Sequence, residues 1–266
     1  MKKAVFFDAD GTICDIQKGI PSSTLRALRQ LTQNGHLAYL CTGRSRAMIP
    51  DDLANAGFNG IVAACGTYIE QDGKILYNQM PTPEDAKKSV TILRDAGMIP
   101  ILEGPEYLYF DLEEYNSSID WLAPVIYDLL GPRWKPLHGN MDNLQINKIS
   151  AKRLTTSHLE DACKNLSDLF DPIFHEGSFS GSTVEFVPKN FTKATGIKKV
   201  CDLTGTAWED TVCFGDSNND LPMFEYAHTK VAMGGSTPKI LKLADYVTDD
   251  LFHDGIWNGL KHLHLI

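Results

Sequence analysis

Two short acidic stretches each follow an apolar run. Asp8-Ala9-Asp10-Gly11-Thr12 comes directly after Ala4-Val5-Phe6-Phe7, and Gly215-Asp216-Ser217-Asn218-Asn219-Asp220 after Thr211-Val212-Cys213-Phe214. Two carboxylates one residue apart, followed by Gly-Thr, suit a hard cation and a phosphate together. Asp8 could coordinate magnesium and attack phosphorus, and Asp10 could exchange a proton with the leaving group. Gly11 lets the backbone bend close to a ligand. In the second stretch Asp216 is the natural additional magnesium ligand. Asn219 could donate to substrate oxygens or hold the nucleophile, and Asp220 could bind a metal-bound water or orient a neighbouring cation. Either stretch alone also reads as an acidic turn or a helix start, since Ser217, Asn218 and Asp220 are capping types. Two of them, each closing a buried strand, point to chemistry.

Two further segments supply positive or donor groups. Thr42-Gly43-Arg44 ends a second apolar run; a hydroxyl with backbone N–H groups at a helix start makes a phosphate pocket, and Arg44 adds a bidentate anion partner. By itself a Thr-Gly turn with a surface arginine would read the same. Lys193, in Asn190-Phe191-Thr192-Lys193-Ala194, opens a helix and could neutralise a transferring phosphoryl group and steady Asp8; Lys189 competes for that role.

The elements that must position these groups alternate at both ends of the chain. Residues 4–7, 37–41 and 61–64 read as strands buried on both faces. Between them lie a helix capped by Ser22 or Ser23 and closed by Asn34-Gly35, and a helix over 45–56. Strand, helix, strand, helix, strand predicts a doubly wound parallel sheet, and ligands in such sheets bind beyond the carboxyl ends of the strands. A hairpin over 68–77 follows, turning at Gln71-Asp72-Gly73. Thr82 then caps a helix with Pro83 at its first position. From there to about Pro188, helices mix with separated strands such as 107–112, 143–149 and 183–187, with punctuation at Asp171-Pro172, Gly177 and Gly181. The alternating pattern resumes with a helix over 192–204, the strand 211–214, a short helix over 219–227, the strand 230–233, a helix from Thr237 and a strand at 246–247. The expected fold is therefore an α/β, Rossmann-like doubly wound parallel sheet core, residues 1–81 and 188–266, with an inserted α+β cap domain over 82–187.

Bulk properties restrict the partners. The 266 residues carry a formal net charge of -9, with 43% hydrophobic and 22% charged residues. Such a chain folds, and its acidity with no Lys/Arg-rich run argues against nucleic acid. A phosphate ester would have to be attracted locally, by a metal and a few placed cations. The cysteines at 14, 41, 65, 163, 201 and 213 form no CxxC pair or zinc-like cluster. No stretch suggests a signal peptide or a membrane span, so no membrane partner is expected and the cytoplasm is the default compartment. Nothing implies an obligate protein partner.

With Asp8-Ala9-Asp10-Gly11-Thr12, Thr42-Gly43-Arg44, Lys193 and Gly215-Asp216-Ser217-Asn218-Asn219-Asp220 in that order, the sequence resembles the haloacid dehalogenase superfamily of phosphohydrolases, and most of all its Cof-type sugar-phosphatase branch. The resemblance covers both ends of the chain, and the middle matches that branch's large α/β cap in position and size. It implies a mobile cap that supplies leaving-group specificity. It also implies Asp8 as nucleophile, Asp10 as general acid and then base, and Mg2+ held by the Asp8 side chain, the Asp10 backbone carbonyl and Asp216. Thr42, Lys193 and Asn219 would bind the phosphoryl group of a small phosphorylated metabolite. Cys65-Gly66-Thr67 departs from the Asn-Gly-Ala expected after the third strand. Glu103, Tyr107, Asn143, Lys148, His175 and Glu185 are candidate polar residues of the cap, and His253 and Trp257 could flank an opening. A phosphomutase on the same core, or a non-catalytic phosphometabolite-binding protein, would carry much of the same pattern.

Overall fold

Runs of apolar residues set the strands of the core, and the alternation within each run sets its two faces. β1 (Ala4–Phe7) is buried at every residue. It pairs in parallel with β2 (Leu37–Cys41), which pairs in parallel with β3 (Gly60–Ala63). The antiparallel hairpin of β4 (Tyr68–Gln71) and β5 (Lys74–Asn78) extends this sheet. Asp72 and Gly73, at φ 49° and 74°, make the turn with both central residues left-handed, which matches the twist of the flanking strands. The helices of this first half are α1 (Ser22–Gln33) and α2 (Asp51–Ala54).

The computed structural model describes residues 2–114, 131–174 and 183–266. The chain forms two compact units, one of Met1–Gly43, Ile49–Asn78 and Phe191–Ile266, the other of Arg44–Met48 and Gln79–Asn190. In the second unit the strands β6 (Ile99–Glu103), β7 (Leu108–Tyr109), β8 (Trp134–Lys135), β9 (Lys148–Lys152), β10 (Phe170–Phe174) and β11 (Thr183–Pro188) form a sheet of order β10-β11-β9-β6-β7-β8. Its pairs are antiparallel except β7 with β8. The helices α3 (Pro83–Asp95) and α4 (Leu159–Leu166) contribute Ala86, Val90, Leu93, Ala162 and Leu166 to an apolar cluster with Leu102, Ile149 and Phe186. Residues 44–48 belong with this unit because Ala47 N–H donates to Gly104 O (3.4 Å) and Ala47 and Met48 pack with Ile99, Leu108 and Phe110.

The core sheet is completed by β12 (Thr211–Gly215), β13 (Thr229–Ala232) and β14 (Tyr246–Val247), in the order β14-β13-β12-β1-β2-β3-β4-β5. The helices α5 (Lys193–Thr204), α6 (Leu221–Tyr226), α7 (Pro238–Leu243) and α8 (Gly255–His262) accompany these strands. On one face Val5, Phe7 and Phe214 pack with Leu28 and Leu31 of α1 and Ile256 and Leu260 of α8. On the other, Phe6, Tyr39 and Val62 pack with Ile197 and Val200 of α5, Phe224 of α6 and Ile240 of α7. This is the doubly wound, mostly parallel core with a second α+β unit that the sequence pattern predicts. No helix among the described residues is long and apolar enough to cross a membrane.

Several local expectations are corrected. The helix N-cap before Ser22 is Pro21, with no side-chain cap, and Ser23 is buried. The helix expected over 45–56 is a short 3-10 turn at Arg46–Met48 and the four-residue α2, because Pro50 disfavours a helical Ile49. The strand expected over 143–149 begins only at Lys148, and the one expected over 107–112 spans Leu108–Tyr109. Gly177, Gly181 and His175 lie outside the described residues.

Phe7 immediately precedes Asp8, is fully buried, and stacks on Phe214 with ring centroids 5.0 Å apart. Phe7→Ala should destabilise the protein by about 3–5 kcal/mol, read as a lower urea midpoint with an unchanged slope; a loss below about 1 kcal/mol would contradict this account of the core.

Candidate active site

Asp8 leaves β1 with its N–H bonded to Phe214 O (2.9 Å), so the first acidic loop starts level with the end of β12. The turn behind it is held by Cys14 N–H and Ile13 N–H, both donating to Ala9 O (2.9 Å). Gly11 has φ 83°, and a Cβ there would lie 2.6 Å from Asp216 Oδ2. Glycine thus serves both the left-handed turn and the close approach of the two acidic loops. Thr12 Oγ1 donates to Asp216 Oδ1 at 3.4 Å.

In the second loop, the N–H groups of Asp216 and Ser217 both donate to Asp220 Oδ2, at 3.0 and 3.1 Å. That closes a capping box and leaves Asp220 Oδ1 to the buried side. Lys193, the first residue of α5, reaches in from the other direction. Its Nζ donates to Asp8 Oδ1 and to Asp220 Oδ1, each at 2.5 Å. Lys193, Asp8 and Asp220 are exposed by only 2%, 3% and 0%. Asp220 thus contacts a neighbouring cation, one of the two arrangements open to it in the sequence.

One ammonium faces more than one carboxylate, and the protonation equilibria record it. Burial, and then the Asp220 carboxylate, push the Asp8 carboxyl up to about 8 despite Lys193. Burial and Asp220 likewise raise Asp216 to about 7. Burial alone would push the Lys193 ammonium down; Asp220 and Asp8 overcome this and hold it well above the ordinary lysine value. Carboxylate oxygens of Asp8, Asp216 and Asp220 lie within 4.8 Å of one another. Crowded, buried oxygen donors with excess negative charge fit a hard divalent cation.

The remaining candidates fall at different places. The Asp10 side chain is exposed on the turn and lies outside this trio; its expected metal contact is through the backbone carbonyl. Thr42 is buried at the end of β2, with its N–H on Val62 O (2.9 Å) and its carbonyl accepting from Cys65 N–H (3.2 Å). Gly43 follows in the same unit, whereas Arg44 groups with the other unit. Asn219 is exposed and its Oδ1 accepts from Ser217 Oγ at 2.7 Å. Lys189 is exposed, so between the two lysines it is Lys193 that meets Asp8. Cys65 is a buried residue at φ 55°, a left-handed position that Asn occupies more readily than Cys.

In the inserted unit, Lys148 Nζ bonds Glu185 Oε2 (2.7 Å) and stands 3.6 Å from Glu103 Oε1, which accepts from Ser150 Oγ. Three of the sequence candidates thus form one ionic cluster, with Glu103 and Lys148 buried and Glu185 half-buried. Tyr107 instead lies under the Lys135 ammonium, 3.4 Å from its ring centroid, and Asn143 is exposed. His253 pairs with Asp250 on the surface, and Trp257 packs against the core.

Fold and site together define a hydrolase-type α/β enzyme with an acidic centre at the carboxyl edge of its sheet. The chain belongs to the haloacid dehalogenase-like hydrolase family, whose model matches residues 5–260. YkrA of Bacillus subtilis (strain 168), named provisionally as a phosphatase, is 30% identical over 99% of this chain and 98% of its own. The crystal structure of a hypothetical protein from Geobacillus kaustophilus HTA426 is 28% identical, with a TM-score of 0.85 over 100% of both chains. That of BT4131, described as a sugar phosphatase of haloacid dehalogenase subclass IIB, is 24% identical, with a TM-score of 0.79 over 100% of both. Family membership makes the chain an enzyme, in keeping with phosphoric monoester hydrolysis.

The raised carboxyl values carry a sign. A carboxyl whose folded value lies above its unfolded value of 3.8 contributes stability that is complete below that value and lost as pH rises through 7 for Asp216 and 8 for Asp8. In EDTA, therefore, Asp216→Asn should gain stability relative to wild type as pH rises from about 4 to 8. Urea melts across that range check it; a difference that stays flat or falls would contradict the buried charge excess.

Proposed function

We propose that this protein is a magnesium-dependent phosphatase that hydrolyses small phosphorylated metabolites, sugar phosphates foremost, through a phosphoryl group carried on Asp8. The single observation that carries the reading is the buried meeting of Lys193 with Asp8 and Asp220 beside Asp216. A surface acidic turn needs no buried ammonium, and a desolvated lysine is retained only where its charge is paired. The sugar-phosphate preference rests on the resemblance to the Cof-type branch and on the description of BT4131.

The donor set suits Mg2+: Asp8 and Asp216 would hold it by their side chains and Asp10 by its backbone carbonyl, with Asp220 close by. When bound, it would supply positive charge to the phosphoryl oxygens and favour the ionised form of these carboxylates. The Asp8 oxygen attacks phosphorus in line, forming the P–O bond of an aspartyl phosphate as the bond to the leaving oxygen breaks. Asp10, exposed on its turn, gives its proton to that oxygen. Lys193 neutralises phosphoryl charge while keeping Asp8 aimed. Thr42 and Asn219 hold the phosphoryl oxygens. Asp10 then takes a proton from water, which attacks the aspartyl phosphate and restores Asp8 with release of inorganic phosphate.

Asp8→Asn should lower phosphate release from a panel of sugar phosphates and p-nitrophenyl phosphate by at least about 10³-fold, while the fold is retained. The assay is run with and without magnesium beside a thermal melt. Undiminished turnover in the variant would remove Asp8 as nucleophile, and an isomeric sugar phosphate in place of free phosphate would point to mutase chemistry.

A further inference from the structure

The turn after β3 combines unusual backbone with an unusually close contact. Ala64, Cys65 and Gly66 are consecutive left-handed residues, at φ 47°, 55° and 92°. For the two that carry a Cβ this conformation is unfavourable and persists only when the surroundings impose it. Thr67 N–H and Oγ1 both donate to Ala64 O, at 3.3 and 2.9 Å, and Cys65 N–H donates to Thr42 O. The turn therefore presents Gly66 rigidly to α5.

The partner of Gly66 on α5 is Gly196, in the first turn of the helix. Glycine inside a helix is unfavourable relative to alanine, and no turn or cap requires it here. Space does. A Cβ on Gly196 would lie 2.6 Å from Val62 Cγ1 and 2.8 Å from Gly66 Cα. A Cβ on Gly66 would lie 2.7 Å from Gly196 Cα and 2.9 Å from Thr192 O. Two backbones thus touch without an intervening side chain. Gly196 N–H bonds Thr192 O (3.1 Å), and Thr192 caps α5 through a reciprocal box with Thr195. Lys193 is the residue next to that cap.

We propose that Gly66 and Gly196 are positioning residues: their backbone contact seats the first turn of α5 at the depth where the Lys193 ammonium lies between Asp8 and Asp220. The catalytic consequence rests on the phosphatase reading above; the placement of the ammonium does not. A methyl at Gly196 must push the helix off the turn, because Gly66 Cα is backbone and Val62 is a buried, branched residue of a central strand. The displacement passes to Lys193 through less than one helical turn. A shift of about 1 Å in a group that meets the reacting phosphoryl can slow a reaction by about 100-fold.

The test is Gly196→Ala in the full chain, assayed with p-nitrophenyl phosphate and magnesium, beside Asp8→Asn and a thermal melt, with a crystal structure of the variant. The expected result is a fall in kcat of about ten-fold or more with KM within about three-fold, in a protein still folded at the assay temperature. The Lys193 Nζ should be withdrawn from at least one of its two carboxylates. Wild-type kcat in the folded variant overturns the proposal. So does a crystal structure with Nζ still bonded to both Asp8 and Asp220, and that arm holds even if an active Asp8→Asn removes the phosphatase reading itself. Should Gly196→Ala fail to fold, the same measurements on Gly196→Ala with Val62→Ala decide, since Gly66 Cα still opposes the new methyl.

Discussion

The Lys193 ammonium, nearly water-free and shared between Asp8 and Asp220, is the interaction on which the rest of the site depends. It sits where elementary electrostatics disfavours it. The N-terminus of a helix carries partial positive charge and prefers an anion, yet Lys193 is the first residue of α5. Burial also opposes the charge. Chiefly the two carboxylates offset these effects, and they come from separate loops, one after β1 and one after β12. Those strands are neighbours in the sheet, with Phe7 opposite Phe214. The ion cluster therefore exists only once the long-range pairing of the first strand with the C-terminal half has formed.

That pairing is secured by residues with no part in chemistry. Phe6 and Phe7 point to opposite faces, and each meets its own set of helices. A one-residue slip of β1 would exchange the two faces and move Asp8 away from the end of β12. The two apolar clusters thus set the register of the strand, and the register sets the depth of the carboxylate. The same logic explains why the functional loops lie at strand ends: the sheet is rigid and covered on both faces, so its carboxyl edge is where backbone can turn and expose polar groups.

Much of this was legible because apolar runs and acidic loops abut directly in the sequence. Ala4–Phe7 followed by Asp8, and Thr211–Phe214 followed by Gly215-Asp216, announce both strands and the acidic loops at their carboxyl ends; that the two strands are neighbours in the sheet is seen only in the structure. Thr82 with Pro83 announced a helix start that the structure bears out, with Thr82 accepting from Asp85 N–H. Other signals were locally ambiguous. Ser22 and Ser23 are capping types, but Pro21 takes the cap position. A helical pattern over 45–56 ignored both Pro50 and the packing of Ala47 with the inserted unit. Residue type alone left Lys189 beside Lys193, the family resemblance favoured Lys193, and which of them becomes buried is a tertiary outcome. For Asp220 the spacing allowed two roles, and its bond to Lys193 depends on the path of α5, which the spacing does not give. The contact of Gly66 with Gly196 has no sequence signal at all, since each glycine alone reads as a turn or a tolerated helix residue.

The charge balance gives the site its final constraint. Around one ammonium stand the carboxylates of Asp8, Asp216 and Asp220, in a chain whose net charge is already -9. When all three are ionised the centre is negative, and a phosphate monoester brings more negative charge to it. At an effective dielectric constant of about 20, like charges about 4 Å apart repel by about 4 kcal/mol. Lys193 cannot relieve this alone, because its single positive charge already faces more than one carboxylate. A divalent cation among the carboxylates would bring the centre close to neutral and so make binding of a phosphate ester electrostatically tolerable. On the proposed phosphatase reading, the acidic cluster that would repel the free ester is also the feature that would recruit a cation to hold it, which would couple substrate affinity to metal concentration through charge.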